Sequence, residues 1–383
     1  LIQCSPSAPT DRKHQVAHRL HPYWNFAVPG VRDLKLRILR EVAEKYEFDG
    51  IQIDFARVAA LFPEGQQWAN RDKLTEFMRS LRTLLLEIEK QRGRPFLLAA
   101  RVPENLMGCH FDGLDVETWA RENLVDILVL GCRSSDVDIA AFRRLTRGTG
   151  IKLHPCFDFH HVSDGYGNQY TTIEVVRGVY ANWWNQSPDG VHTFNLMGPS
   201  PESAQIFPGG YRPPWETQRQ VFREVGSPET LQHKDKVFHV QRRGGEQGSP
   251  PSDFITPRWG YFCTNLFAPL PVVLANDGQA DTLLTLAVAD DLNAAKDRIK
   301  EITLRILLSV TPPNVAENQR VEARINNLVI DPPRIEEGWV VFPVQPRQLA
   351  VGDNLVGVSL TGRSRDSRGQ VSVEKVELHV RYR

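Results

Sequence analysis

Segments with helical spacing alternate with short apolar runs between residues 31 and 240. A helix over 31–46 precedes the apolar run at 50–55, and a long amphipathic helix over 71–93 precedes a second run at 95–100. Four further units follow, with helices over 114–124, 138–150, 172–186 and 216–226 and strands over 125–130, 151–157, 190–196 and 236–240. Strands that are apolar throughout and separated by helices are typical of a parallel sheet covered on both faces.

The pattern predicts an α/β fold, and the length of its units favours a (β/α)8 TIM barrel over an open sheet. No strand is followed by GxGxxG or GxxxxGK[ST], so the nucleotide-binding versions of such a sheet are disfavoured. Six strands are visible, and we therefore expect the chain to lack the first two barrel strands, unless the lead hides one around residues 1–3. The native polypeptide is then expected to extend upstream by roughly 60–100 residues.

The periodicity of the sequence changes after residue 241. A stretch rich in Gly, Pro and Ser (241–253) is followed by runs in which apolar residues alternate with polar ones. Asn326 and Asn327 separate two such runs, as in a hairpin turn with positive φ. This predicts an antiparallel β-sandwich. The expected domains are an N-terminally incomplete barrel (1–240), a linker (241–259) and a sandwich (260–383).

Composition narrows the classes of partner. The chain of 383 residues carries 46 basic and 46 acidic side chains, a balance that argues against nucleic acid as a partner. No apolar run approaches the length that a membrane span needs, and the first residues show no charged segment followed by an apolar one, as a signal peptide would. Localisation is left open, with a secreted or periplasmic location favoured. The oligomeric state is also left open.

In a parallel barrel the loops after the strands converge at one mouth, so the residues that follow each strand are the candidates for function. They are Asp54 and Arg57 after the first visible strand, Arg101 and Glu104 after the second, Cys132 and Arg133 after the third, His154, Cys156, Asp158 and His160–His161 around the fourth, and Asn195 after the fifth. Paired carboxylates at such a mouth suit glycosidic cleavage, in which one donates a proton and the other attacks or activates water.

Each candidate also has a structural interpretation. Asp49 is expected to cap or terminate the preceding helix, whereas Asp54, at the far end of its strand, is expected in the site. Glu104 is the expected second carboxylate, with Asp158 as its rival. His154 is interpreted either as a hydrogen-bonded core histidine or as a substrate contact.

The cysteines and tryptophans allow similar alternatives. The five cysteines are odd in number and widely spaced, unlike a disulfide framework or a zinc ribbon. Cys109, Cys132 and Cys156 follow successive strands, yet their spacing matches no compact zinc motif, so no metal or other cofactor is expected. Trp183 and Trp184 are expected to pack against the barrel wall rather than to stack on sugars.

The segment VRDLKLRILREVAEKYEFDGIQIDFAR (31–57) resembles family-10-like glycosyl hydrolases and their TIM-barrel relatives in environmental bacteria. LLAARVPENL, VDILVLG, GVHTFNL and the closing VELHVRYR are similar to later parts of those proteins, and the resemblance covers 24–240 best. It implies a barrel with two strands upstream of this segment. It also implies that Asp54 is the family's strand-end aspartate, Arg57 the arginine after it and Glu104 the acid after R-V-P.

The leading hypothesis is therefore a glycoside hydrolase that cleaves a poly- or oligosaccharide. Its catalytic residues would be Asp54 with Glu104 or Asp158, and its substrate contacts Arg57, Arg101, Arg133, His154 and Asn195. The sandwich would be a carbohydrate-binding or structural companion. Two alternatives stay open: a non-catalytic glycan-binding barrel, and a metal-dependent sugar isomerase that uses His154, Asp158 and their neighbours.

Overall fold

A computed structural model gives the fold of the protein. The structure describes residues 2–3, 23–56, 61–63, 65–131, 134–158, 172–194, 196, 215–242, 268–275, 281–311, 320–361 and 369–383. The chain divides into two compact units. The first lies within Leu1–Asp158 and Pro188–Phe194, and the second within Phe159–Ser187, Asn195–Pro250 and Phe267–Arg383. Neither unit is contiguous in sequence.

From residue 29 to residue 194, helices precede each strand, as the apolar pattern predicts, and two short strands come before them. In order they are β1 (Ile2–Gln3), β2 (Tyr23–Trp24), α1 (Pro29–Lys45), β3 (Gly50–Asp54), α2 (Arg71–Arg92), β4 (Leu97–Val102), α3 (Leu106–Asp112), α4 (Val116–Arg121), β5 (Ile127–Leu130), α5 (Ile139–Leu145), β6 (Lys152–Asp158), α6 (Ile173–Trp184) and β7 (His192–Phe194). Of these, α6 belongs to the second unit and the others to the first.

Helix α2 illustrates how the sequence forms these elements. Its buried side chains recur every three or four residues, so that one stripe of the helix is apolar. The helix ends at Gly93, whose φ of +67° is the left-handed conformation that closes many helices and that glycine adopts without steric cost. The amphipathic period and the terminating glycine together account for a helix of 22 residues.

Strands β3 to β7 form a five-stranded parallel sheet, curled like half of a barrel, in the order β3-β4-β5-β6-β7. Parallel pairing in sequence order is what right-handed helical crossovers produce. The predicted α/β class with a parallel sheet is therefore confirmed. Closure of that sheet into eight strands stays a prediction.

The second unit contains most of the antiparallel structure. Its elements after α6 are α7 (Trp215–Glu224), β8 (Lys236–His239), β9 (Val272–Val273), β10 (Thr282–Val288), β11 (Ile299–Thr311), β12 (Arg320–Ile325), β13 (Leu328–Val329), β14 (Arg334–Glu336), β15 (Trp339–Pro343), β16 (Gly352–Thr361) and β17 (Gln370–Tyr382). One sheet has the order β10-β16-β12-β13, and the other has the order β14-β15-β11-β17-β8, with β9 also paired to β17. The predicted hairpin is confirmed, since Asn326 and Asn327 have φ of +49° and +66° between β12 and β13.

The prediction for the strand at 236–240 was wrong about its partner. This strand was expected to be the sixth strand of the parallel sheet, but β8 pairs antiparallel with β17, from Lys236 opposite Val380 to His239 opposite Glu377. Helix α6 packs closely on this strand, because a Cβ added at Gly178 would overlap the carbonyl oxygen of Val237. A glycine is required where a helix backbone approaches a strand so closely.

The lead does contain a strand, but this strand is not the additional strand of the parallel sheet that the sequence analysis allowed for around residues 1–3. Ile2 and Gln3 form β1, which pairs antiparallel with β2, not with the parallel sheet. Of the predicted linker, 241–242 are described and 243–259 lie outside the described residues, so the domain bounds 1–240, 241–259 and 260–383 stay predictions. None of the helices within the described ranges combines the length and the apolar character that crossing a bilayer requires.

Candidate active site

Asp54 is the last residue of β3, and the register of the sheet places it beside Arg101 on β4. The two side chains form a two-pronged ion pair: Arg101 Nε donates to Asp54 Oδ1 at 2.9 Å, and Arg101 Nη2 donates to Asp54 Oδ2 at 2.5 Å. The backbone N–H of Ala56 also donates to Oδ1, at 3.1 Å. This fork geometry is the strongest and most directional form of a carboxylate–guanidinium contact, so it fixes the orientation of Asp54.

The two partners differ in their access to water. The Arg101 side chain is 1% exposed, whereas that of Asp54 is 32% exposed. The Arg101 guanidinium lies 4.0 Å from the centre of the Phe194 ring, and its Nη1 lies 3.8 Å from Cys156 Sγ. A buried guanidinium requires a nearby anion, and Asp54 is that anion. The Asp54 carboxylate is thus accessible to solvent, while the Arg101 guanidinium that holds it is shielded from solvent.

The register extends this face of the sheet across the later strands. Arg101 lies beside Val129, Val129 beside His154, and Cys156 beside His192. Residues paired in parallel strands project from the same face, and so do residues two apart in one strand. His154 and His192 therefore share the face of Asp54 and Arg101.

Both histidines are partly exposed, and both are held neutral by their surroundings. Burial lowers the pKa of His154, against a smaller opposing effect of Asp189. Burial also lowers the pKa of His192, and the positive charge of Arg101 adds to the effect. A neutral imidazole offers one N–H donor and one acceptor nitrogen, which suits hydrogen bonds to hydroxyl groups.

Glu104 lies just beyond β4, in the turn that leads into α3, and its side chain is buried. The turn is held by Asn105, whose Oδ1 accepts the N–H of Gly108 at the start of α3. Gly131, which follows β5, has a φ of +80°, and a Cβ there would lie 2.9 Å from the Glu104 Cβ. Gly131 therefore makes room for Glu104 at the carboxyl edge of the sheet.

A buried cysteine lies near this glutamate. Burial raises the pKa of the Cys109 thiol well above its usual range, and Asp112 and Glu104, once ionised, raise it further. The thiol is therefore protonated at neutral pH and is a poor nucleophile or metal ligand. Among the described residues, no group of three His, Cys, Asp or Glu side chains is placed to hold a metal ion.

The remaining candidates are placed as follows. Asp158 is the last residue of β6 and pairs in register with Phe194, while its side chain lies outside the described part of the structure. Arg57, Cys132, Arg133, His160, His161 and Asn195 also lie outside the described residues. Trp183 is buried, and the Trp184 indole N–H donates to the carbonyl oxygen of Val225 at 2.9 Å, so both pack within the second unit.

The role predicted for Asp49 was also wrong. Asp49 was expected to cap or terminate the preceding helix, but that helix ends at Lys45 and the Asp49 carboxylate instead binds the Arg94 side chain. Its side chain is 89% exposed. Asp49 therefore takes no part in the face that carries Asp54.

Sequence reasoning missed His192 and Phe194, which β7 contributes to this face. The prediction took only Asn195, the residue after the strand, from this unit. The signal was present in the alternation of GVHTFNL, because His192 and Phe194 are two residues apart and must project from the same side of a strand.

No protein-family model matches the chain, and no curated protein matches it. The resemblance to family-10-like glycosyl hydrolases therefore stays a prediction. Several solved structures are similar to the chain, and those named here are glycoside hydrolases. One is the chitinase ChiW of Paenibacillus sp. str. FPU-7, with 9% identity and a TM-score of 0.36; the match covers 89% of this chain and 41% of that chain. Another is the chitinase ChiA74 of Bacillus thuringiensis, with 9% identity and a TM-score of 0.32; the match covers 90% of this chain and 77% of that chain. A third is the β-porphyranase BpGH86A of Bacteroides plebeius, with 13% identity and a TM-score of 0.26; the match covers 86% of this chain and 77% of that chain.

The chain thus spans less than half of the ChiW chain that it matches. At identities of 9–13% and TM-scores of 0.26–0.36, neither the substrates nor the catalytic residues of these enzymes transfer to this chain.

Proposed function

We propose that the protein hydrolyses glycosidic bonds, with Asp54 as the carboxylate that attacks the sugar or activates water. The observation that carries the proposal is the forked pair of Asp54 with buried Arg101 at the carboxyl end of a parallel strand. Function collects at that end of parallel strands in barrels. The pair supplies an oriented negative charge that substrate can reach.

The geometry also indicates which oxygen would react. A carboxylate offers about four lone-pair sites, two on each oxygen. Oδ1 accepts from both Arg101 and Ala56, whereas Oδ2 accepts only from Arg101 among the described residues. Oδ2 therefore retains an unused lone pair, and we assign it as the nucleophile or base. In the glycosidase reaction such a carboxylate stabilises or captures the oxocarbenium-like transition state.

The proton donor is Glu104, or Asp158 if Glu104 points away. Glu104 is buried at the carboxyl edge of the sheet, and burial favours the protonated form that a general acid needs. The separation of the two carboxyl groups would determine the stereochemistry: about 5–5.5 Å implies retention, and about 6.5–9.5 Å implies inversion.

The substrate contacts follow from the same face of the sheet. His154 and His192, neutral and partly exposed, would exchange hydrogen bonds with sugar hydroxyls. Arg57, Arg133 and Asn195 remain proposed contacts on the strength of their positions in the sequence. The wider fold belongs to the same proposal: the five parallel strands would be part of a (β/α)8 barrel, and the antiparallel sheets would form a β-sandwich.

A first experiment screens the full chain against polysaccharides and aryl glycosides and then compares two variants. Asp54→Asn keeps the shape and removes the charge, so the rate of hydrolysis should fall by at least about a hundredfold. Asp49→Asn is the matched control, because it removes an exposed carboxylate from the other end of the same strand. Its rate should equal that of the parent.

Loss of activity through unfolding is separated by the far-ultraviolet circular dichroism and the urea midpoint of each variant. If a folded Asp54→Asn protein turns over its substrate at the parent rate, Asp54 is only the counter-ion of Arg101 and the mechanism is wrong. The Asp54–Arg101 ion pair could also be purely structural, and this leaves a second candidate function, a non-catalytic glycan-binding protein. It predicts glycan affinity that Asp54→Asn leaves intact, with no turnover in the parent.

A further inference from the structure

A cavity of about 520 Å³ lies entirely within the second unit. Four stretches of chain line it: the carboxyl end of α6, residues 228–233, residues 289–298 and Tyr382 of β17. Its volume falls in the range of about 300–1,000 Å³ that is usual for sites of small ligands. None of its walls is used by the proposed hydrolysis.

A fixed carboxylate forms one wall. Asp290 Oδ2 accepts two hydrogen bonds, from Lys236 Nζ at 2.9 Å and from the Tyr382 hydroxyl at 2.6 Å. The Lys236 side chain is fully buried, so it neutralises Asp290 from inside the protein. Asp290 Oδ1 has no hydrogen-bond donor among the described residues and can accept one from a ligand.

An oriented guanidinium forms another wall. Arg298 Nη1 lies 3.1 Å from His233 Nδ1, and since arginine is always protonated, the imidazole nitrogen must be the acceptor. No carboxylate in the described parts of the chain forms an ion pair with Arg298. Its remaining N–H groups are therefore available as donors.

Aromatic and small apolar side chains complete the lining. The Trp184 ring is fixed by the hydrogen bond from its indole N–H to the Val225 carbonyl oxygen and remains partly exposed. The Tyr382 ring is packed edge-on against His233, with ring centres 5.8 Å apart. The two aromatic rings are thus held in place before any ligand arrives, which lowers the entropic cost of binding.

We propose that this cavity is a second saccharide-binding site, which takes one or two neutral sugar units. A pyranose presents hydroxyl groups that both donate and accept, and its C–H faces pack on aromatic rings. The cavity offers an acceptor at Asp290, donors at Arg298 and the fixed rings of Trp184 and Tyr382. Lys236 neutralises Asp290, and the carboxylate of Asp291, which also lines the cavity, balances the charge of Arg298, so the cavity carries no net charge and favours a neutral ligand over a strongly charged one.

The proposal shares with the proposed function only the class of ligand. Asp54 and Arg101 belong to the first unit, and every residue that lines the cavity belongs to the second. A protein that hydrolyses glycosides without binding sugar in this cavity, and a protein that binds sugar here without hydrolysis, are therefore separate outcomes.

The test uses the full chain carrying Asp54→Asn, so that bound sugar is not hydrolysed. Cellobiose, maltose, N,N′-diacetylchitobiose, β-1,4-mannobiose and digalacturonate are titrated separately by isothermal calorimetry. We expect one of the four neutral disaccharides to bind with a Kd below about 10 mM. Adding Arg298→Ala, which removes an exposed side chain whose described contact is His233, should then raise that Kd at least tenfold.

Lys296→Ala is the matched control, because this exposed cation lies two residues from Arg298 in the same short helix and does not line the cavity. It should leave the Kd unchanged. Absence of binding by all four neutral disaccharides would overturn the proposal, and so would binding by digalacturonate alone. An equal Kd for the Arg298→Ala protein and its parent would also overturn it, because the sugar would then bind elsewhere.

Discussion

Strand β3 lies between two pairs of aspartate and arginine. Just before it, Asp49 pairs with Arg94, and their side chains are 89% and 38% exposed. At its carboxyl end, Asp54 pairs with Arg101, and the exposed fractions are 32% and 1%. The partners are 45 residues apart in the first pair and 47 in the second. Residue type and spacing alone therefore do not distinguish the two ends.

The surroundings of the arginines make the difference. Arg94 also contacts the exposed Glu47, and water screens both charges. Arg101 packs against the Phe194 ring and Cys156, where the protein excludes water. An ion pair in water is worth little, whereas a charge held in a dry setting is both costly and able to do chemistry. This difference is the reason we propose the carboxyl end of the sheet, and not its amino end, as the site of the reaction.

The largest contrast between the two ends should be in stability. Asp54→Ala leaves the buried Arg101 guanidinium without its anion and should lower the free energy of unfolding by about 3 kcal/mol. We expect the lower end of the usual range because Asp54 is partly exposed, so water can reach the space it leaves. Urea titration checks the value. Asp49→Ala is the control, and equal losses for both variants would show that the two ends do not differ.

A second contrast uses two glycines with nearly equal φ. Gly131, at the carboxyl end of β5, has a φ of +80°, and Gly148, before β6, has +82°. Alanine at Gly148 meets no atom within 4 Å, so it should cost about 1 kcal/mol through backbone strain alone. Alanine at Gly131 should cost about 2 kcal/mol, because it also displaces Glu104.

The displaced glutamate should lower kcat about tenfold for Gly131→Ala and leave it unchanged for Gly148→Ala. Thermal unfolding and steady-state kinetics of the two variants measure both effects. If kcat falls equally in both, the position of Glu104 is not what the reaction requires.

The histidines on the Asp54 face should give this end a pH dependence. Burial lowers the pKa of His154 and His192 in the folded state, so the unfolded chain binds their protons more readily. Their contribution to stability is complete above the unfolded pKa of about 6.5 and is lost as the pH falls below it. Each proton accounts for at most about 1.4 kcal/mol per pH unit.

Urea midpoints of the parent and of a His154→Gln/His192→Gln protein, measured between pH 7.5 and 5, test this dependence. The difference between the two proteins should change with pH in that window. A difference that is constant from pH 7.5 to 5 would mean that neither histidine titrates differently in the folded state.

The smallest effect belongs to the amino end. Asp49→Asn combined with Arg94→Gln removes an exposed, screened ion pair and should not move the urea midpoint beyond the error of the titration. At a higher salt concentration the urea midpoints of the parent and of this double variant should also be the same. A clear loss of stability would show that exposure does not separate the two ends.

Much of the first unit follows from its sequence for physical reasons. The 3–4 residue spacing of apolar residues in α2, the apolar run at 95–100 that leads into β4 and the unbroken apolar run of β5 indicate directly which parts of the chain are buried. The strand-end position of Asp54 follows from the same pattern. The sequence does not say which residue the Asp54 carboxylate pairs with, and it is the register of β3 on β4 that places Arg101 beside it.

Other features depend on contacts that no local pattern records. The run KVFH of β8 is apolar and short, and such a run does not specify whether its partner is parallel or antiparallel. Helix α3 is only seven residues long and begins at an Asn105 cap that sequence reasoning did not use. The burial of Glu104 depends on the conformation of Gly131, which lies 27 residues away.

The pairing of β8 with β17 has a consequence for biosynthesis. β17 lies between β8 and β11 in its sheet, and more than 130 residues separate β8 from it along the chain. At about 5–20 residues per second, a ribosome needs roughly 7 to 26 seconds to make the chain between them. During that interval β8 has no β17 to pair with, and unpaired strand edges favour association between nascent chains. Chaperones that cover such edges should therefore raise the yield of folded protein.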